Sequence, residues 1–92
     1  MKKSILIVDD QKDFPGVEAT YARTLAEGLE LVKSQPWDEV WLDYFLGWDT
    51  VEPLCEFLQE NALPLGAIKP ISGSHAGKEL VSWLLQNYYT II

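Results

Sequence analysis

The chain has 92 residues, 48% of them apolar, with fourteen acidic residues against seven basic ones and a net charge of −7. That apolar content is too high for a disordered chain, and the length suits one small domain, expected to span residues 1–92. The acidic balance argues against nucleic acid and anionic membranes as partners, and no apolar run approaches the length of a membrane span.

Residues 5–8, "ILIV", form a continuous apolar run closed by Asp9 and Asp10, the pattern of a strand buried on both faces. The opening "MKKSILIVDD" has the basic start of a secretory leader. Its apolar part is only four residues long and two acids follow at once, so a cytoplasmic protein is expected. Residues 11–16 read as a loop with a Pro15-Gly16 turn, and residues 17–22 as a second, edge-like strand.

Thr24 followed by Glu27 is a capping box, and Leu25, Leu29 and Val32 share one helical face, so a helix is predicted over 24–34, ended by Pro36. Residues 39–44 form a third strand. "GWDT" (47–50) reads as a loop, in which Asp49 and Glu52 make another capping box. Val51, Leu54, Cys55 and Leu58 stripe the second helix, which runs to about Asn61 with Pro53 in its first turn. Cys55 is alone, so no intrachain disulfide forms. On this stripe it reads as a small buried hydrophobe, and the one histidine, His75, is the only base a thiol nucleophile could use.

Residues 65–72 form a fourth strand. Pro70 has no donor for a ladder and marks that strand as an edge. "SGSHAG" follows as a polar loop of phosphate size. Leu80, Val81, Leu84, Leu85 and Tyr88 give the last helix its buried face, and Trp41 and Trp83 read as core or core-edge residues.

Strands separated by helices imply right-handed crossovers and a parallel sheet. The expected fold is α/β: a minimal flavodoxin-like, three-layer domain with a four-stranded, mainly parallel sheet of order 2-1-3-4 and about three helices. Ligands of such sheets bind at the carboxyl ends of the strands. Asp9 and Asp10 close the first strand, Asp43 the third, and Ser72, Gly73 and Ser74 the fourth. With the first strand between the second and third, the three acids meet in one shallow cleft. Oxygen-only ligands suit Mg²⁺, Mn²⁺ or Ca²⁺, and the Ser-Gly-Ser loop would face a phosphate. An Asp at a strand end is also an ordinary turn residue, so each acid alone says little.

"VDDQK", "LDYFLG" and "ISGSHAG", in this order along most of the chain, resemble the receiver domain of bacterial response regulators. The resemblance implies Mg²⁺ held by Asp9 and Asp10, a phosphoryl group accepted by Asp43, and Ser72 on the phosphoryl oxygens. The chain also resembles a short receiver offshoot that processes cyclic phosphates, with the patterns "LDD-x-R", "LDHDLG" and "HS-x-NP-x-G". Lys12 stands where that group has Arg, and Gly47 and Gly77 match its glycines. Tyr44, Phe45 and Ile71 replace its His, Asp and His. Against a full receiver, no helix fits between the first two strands and no fifth strand brings a Lys. Lys69 precedes Pro70 as in a receiver's Lys-Pro pair, but within the fourth strand.

Three readings follow. The first is a receiver-like regulatory module with Mg²⁺ at Asp9, Asp10 and Asp43, phosphoryl on Asp43, and Lys12, Ser72, Gly73 and Ser74 around the phosphoryl group. The second is a metal-dependent phosphohydrolase of cyclic phosphates. The third is a degenerate receiver acting only by protein contact, such as a phage-encoded modulator of a host protein. A protein partner or homodimer is expected through Trp48, in the loop after Asp43, or through the apolar tail 88–92, from Tyr88 to Ile92. That tail can equally pack on the sheet edge.

Overall fold

Four apolar runs of the sequence become the four strands of one parallel sheet. The structure, a computed structural model, describes residues 2–92; Met1, the first residue of the expected domain, lies outside them. In chain order the elements are β1 (Ile5–Val8), β2 (Thr20–Ala22), α1 (Leu25–Ser34), β3 (Trp37–Leu42), β4 (Phe45–Leu46), β5 (Asp49–Thr50), α2 (Glu52–Glu60), β6 (Leu65–Pro70) and α3 (His75–Leu85). The sheet runs β2-β1-β3-β6, all parallel, with Leu6 beside Thr20 and Val40, and Val40 beside Ile68. This is the expected class, strand order and helix number. The fourth strand of the sheet is β6 because a small hairpin intervenes.

That hairpin is a difference from the expected loop. Phe45 pairs with Thr50 and Leu46 with Asp49, antiparallel, around a two-residue Gly47-Trp48 turn. Gly47 has φ +66°, the conformation that a glycine at the first turn position supplies without a Cβ clash.

The strands' side chains alternate between two faces. Leu6, Val8, Ala22, Val40, Leu42 and Ile68 point to one face. There they pack against Val32 of α1, Leu54, Cys55 and Leu58 of α2, and Val81 and Leu85 of α3. Ile7, Trp41 and Ile71 point the other way and meet Ile5, Tyr21 and three loop residues, Phe14, Val17 and Ala19. All three helices therefore lie on one face, and the other is covered by the β1–β2 loop. The expected third layer is absent because each crossover helix packs on the same side and no helix follows β1.

Other boundaries also move. The second strand begins at Thr20 rather than 17, since Val17 and Ala19 cover the sheet instead of joining it. The third is Trp37–Leu42 rather than 39–44, with Trp37 paired to Leu65. The fourth stops at Pro70, two residues earlier than expected, although Ile71 N still donates to Leu42 O of β3 at 3.0 Å. Along α3, Val81 and Leu85 are buried, but Leu80 and Trp83 are not, nor is Tyr88 just beyond its end; Trp83 is 68% exposed, which corrects its reading as a core or core-edge residue. This helix borders the last full strand, so only the flank facing α2 and β6 finds a partner.

β6 is an edge for regular strands, as Pro70 implies. Its outer side takes a single bridge from the tail: Ile68 N donates to Thr90 O and Ile92 N to Ile68 O, each at 2.8 Å. Tyr89 packs on the core, and its hydroxyl accepts from Leu63 N at 3.2 Å.

Caps behave differently at the two expected sites. Thr24 Oγ1 accepts from Glu27 N at 3.1 Å, and the Glu27 carboxylate accepts from Arg23 N at 2.8 Å. The Asp49–Glu52 capping box does not form. Asp49 is drawn into the hairpin, and Val51 is the N-cap of α2 without a side-chain cap bond. Thr24→Ala should thus cost about 1 kcal/mol, whereas Asp49→Ala should stay within about 0.5 kcal/mol. Urea denaturation of both variants checks this, and equal losses would contradict the assignment.

Candidate metal centre

β1 and β3 are neighbours, so the residues just beyond their carboxyl ends come together. Asp9, Asp10 and Asp43 each offer a carboxylate oxygen, and the three oxygens lie within 4.8 Å of one another. Asp9 follows the central strand directly and is 1% exposed. Its Oδ1 accepts two backbone hydrogen bonds, from Gln11 N and Lys12 N, both 2.9 Å. Its Oδ2 is buried and has no partner among the described residues. Asp43 is held by its amide, which donates to Val8 O at 2.9 Å, and is 8% exposed.

Burial pushes the Asp43 carboxyl above the usual carboxylate range, and the nearby Asp9 and Asp10 charges push it the same way. A backbone bond from Phe45 and the Lys12 ammonium oppose the shift without cancelling it. The site is therefore short of positive charge. Three oxygen ligands and one unpaired buried oxygen match a hard divalent cation such as Mg²⁺.

Above these acids lies a cleft of about 370 Å³, lined by Asp10, Gln11, Lys12, Asp43, Phe45, Gly47, Ser72, Gly73 and Ser74. Every sequence-predicted site residue thus lines the cleft or, as with Asp9, lies buried at the acid cluster. Ser72 is buried, and its Oγ is turned toward the start of α3, 3.4 Å from Ser74 N and 3.5 Å from Ser74 Oγ. Ser74 is the N-cap of α3 and accepts from Gly77 N at 3.0 Å. Gly77 is what lets Ser72 come so close: a Cβ at 77 would stand 2.2 Å from Ser72 Oγ.

Other singled-out residues lie elsewhere. His75 is exposed at the start of α3 and pairs with Glu79 at 2.8 Å. Lys69 is on the opposite face of the sheet, its ammonium 4.2 Å from the centre of the Trp41 ring. Cys55 is fully buried, and burial pushes its thiol up to about 12, with the Glu52 and Glu56 carboxylates adding to the effect. It is thus a core residue and no nucleophile. Tyr44 is buried and donates its hydroxyl to the Glu52 carboxylate, away from the cleft.

Sequence reasoning missed two residues here. Phe45, half exposed, forms one wall of the cleft. Arg23 donates to Asp9 O (3.2 Å) and Lys12 O (2.7 Å) and pairs with Asp13, so it clamps the loop that carries Lys12. The resemblance put Phe45 at a motif position but gave it no role, and no local pattern marks Arg23. A larger groove of about 760 Å³ follows the outer face of α3 past Leu80 and Trp83, but it is mainly apolar and gathers no convergent polar set.

Two outcomes test this geometry. Alanine usually suits a helix about 1 kcal/mol better than glycine, yet Gly77→Ala should lose about 1–3 kcal/mol through the collision with Ser72. Chemical denaturation measures it, and a gain would refute the packing. Secondly, the folded state binds the Asp43 proton more tightly than the unfolded chain. The linked stability is present below the unfolded pKa and lost as pH rises through the folded one. Asp43→Asn should therefore melt higher than the unaltered protein at neutral pH without metal, and the gap should close on acidification. Thermal melts in chelator across that range check the sign.

No protein-family model matches the chain, and no curated protein matches it in sequence. Solved structures do match its fold. It is similar to the receiver domain of Francisella response regulator 1452, with a TM-score of 0.64 and 20% identity over 98% of this chain and 84% of that one. It is also similar to a CheY-like response regulator receiver domain protein from Methanospirillum hungatei, with a TM-score of 0.62 and 21% identity over 99% and 79%. The chain therefore has the fold of CheY-like receiver domains.

Proposed function

We propose that the chain is a receiver-like regulatory module. Its acid cleft binds a divalent cation, and Asp43 accepts a phosphoryl group. The observation that carries this reading is the buried, unpartnered Oδ2 of Asp9 beside the Asp10 and Asp43 carboxylates. A protein gains nothing in stability from that arrangement without a cation. Asp9, Asp10 and Asp43 would hold Mg²⁺, which when bound supplies positive charge to offset the carboxylates and the phosphoryl oxygens. An Asp43 oxygen attacks the phosphorus of a phosphodonor. The bond from phosphorus to the donor's leaving atom breaks, that electron pair departs with the donor, and an aspartyl phosphate remains. The Ser72–Gly73–Ser74 loop supplies hydroxyls and the positive end of α3 beside the phosphoryl oxygens.

The likeness to receiver folds supports a regulatory reading over turnover of cyclic phosphates. For the latter, positions 44 and 45 would have to supply acid–base groups. Tyr44 instead points away to Glu52, and Phe45 is apolar. One observation favours contact with a protein partner: Trp48, at the hairpin tip, is 105% exposed. The two roles are compatible, because the hairpin rises from the strand that ends at Asp43.

Calorimetric titration with Mg²⁺, alone and with beryllofluoride as the phosphoryl mimic, tests the proposal. Saturable Mg²⁺ binding should weaken at least about tenfold in Asp9→Asn. Binding of the mimic should require Mg²⁺ and vanish in Asp43→Asn. No heat or Trp fluorescence change at millimolar Mg²⁺, in folded protein, would leave protein contact through Trp48 as the function.

A further inference from the structure

The cleft contains one cation of its own. Lys12 leaves the loop after β1, and its backbone is fixed at both ends. Its N–H donates to Asp9 Oδ1 (2.9 Å), and its carbonyl accepts from Arg23 (2.7 Å). From this anchor the side chain crosses to the loop between β6 and α3. The ammonium lies 3.5 Å from Ile71 O and packs over Gly73, where a Cβ would stand only 3.2 Å from Nζ. A Cβ at 73 would shift it by a few tenths of an ångström. Among the described residues Lys12 makes no ion pair, although the other cleft charges are carboxylates. A single weak, long carbonyl contact leaves most of its donor capacity unused.

An ammonium so placed acts in opposite senses on the two classes of ligand. It repels a divalent cation seated among Asp9, Asp10 and Asp43. It attracts the oxygens of a phosphoryl group between the acids and the Ser72–Ser74 loop. We propose that Lys12 is the specificity-determining residue of the cleft: it holds the metal loosely while the cleft lacks phosphoryl, and it supplies the cation that retains phosphoryl once present. Phosphoryl retention then depends on a residue of the β1–β2 loop, the same loop whose Phe14, Val17 and Ala19 cover the open face of the sheet. Gly73 borders the ammonium, so a Cβ there would adjust where the charge sits.

This inference rests on the cleft being a metal and phosphoryl site, and the experiment separates the two. Mg²⁺ affinity, and beryllofluoride affinity at saturating Mg²⁺, are measured for the unaltered protein, Lys12→Gln, Lys12→Arg and Gly73→Ala. Lys12→Gln should bind Mg²⁺ about threefold more tightly and beryllofluoride about tenfold more weakly. Lys12→Arg should restore most of the mimic affinity. Gly73→Ala keeps the charge and shifts it only slightly, and should weaken the mimic less than Lys12→Gln does. Opposite signs for the two ligands are the signature that a merely structural lysine does not produce. Parallel loss of both affinities in Lys12→Gln, or unchanged mimic binding, would overturn the assignment to Lys12. Absence of Mg²⁺ binding in the unaltered protein would overturn the cleft reading itself, and this inference with it.

Discussion

Asp9 is a carboxylate removed from water at the end of the central strand. An ionised group there costs several kcal/mol unless the protein compensates it. Half of the compensation is local: the amides of Gln11 and Lys12 both donate to Oδ1. Those two bonds shape the turn that leaves β1 and aim Lys12 across the cleft. Arg23 then ties down the carbonyls of Asp9 and Lys12. The other half is missing. Among the described residues Oδ2 has no hydrogen-bond partner, and two further carboxylates stand near it. The turn traces back to this one buried group, and its charge adds to the burial that raises the Asp43 pKa.

The sheet meets its helices on one side only. The larger core therefore lies between the sheet and α1, α2 and α3, and the opposite face has to be closed by other means. A loop does this with Phe14, whose ring meets Trp41 edge-on at 5.2 Å, and with Val17 and Ala19. Lys69 lies over the same indole, and Trp41 Nε1 donates to Glu39, which pairs with Lys3. That set of aromatic and charged contacts ends the hydrophobic surface without another helix. It also couples the loop bearing Lys12 to the back of the sheet.

The hairpin after Asp43 extends the front of the molecule. Val51 N donates to Tyr44 O, and Tyr44 reaches Glu52, so both ends of the hairpin are fastened to α2. Its tip is held close to Asp10: a Cβ on Gly47 would stand 3.9 Å from Asp10 Oδ2. A change of charge in the cleft is thus felt a few ångströms from the exposed Trp48.

Much of this was legible in the amino-acid order because it depends on near neighbours. Runs such as "ILIV" have no polar period and must be strands buried on both sides. Thr24 and Glu27 sit at cap spacing before an amphipathic run, and Pro70 cannot lie in a central strand. From strand order alone, the carboxyl-end rule brought Asp9, Asp10, Asp43 and Ser72 to one place. What the sequence could not decide were outcomes of competition between distant parts. Asp49 has the spacing of a cap, yet the hairpin takes it. Trp83 and Leu80 have core chemistry, yet α3 lies at the border of the sheet, where no further helix covers them. All three helices land on one face, which periodicity does not encode, because each helix alone only needs some apolar surface. The last decision was atomic. That Asp9 spends one oxygen on the backbone and keeps the other buried and bare follows from how the turn, Arg23 and the neighbouring strand pack around it, and no spacing of residues states it.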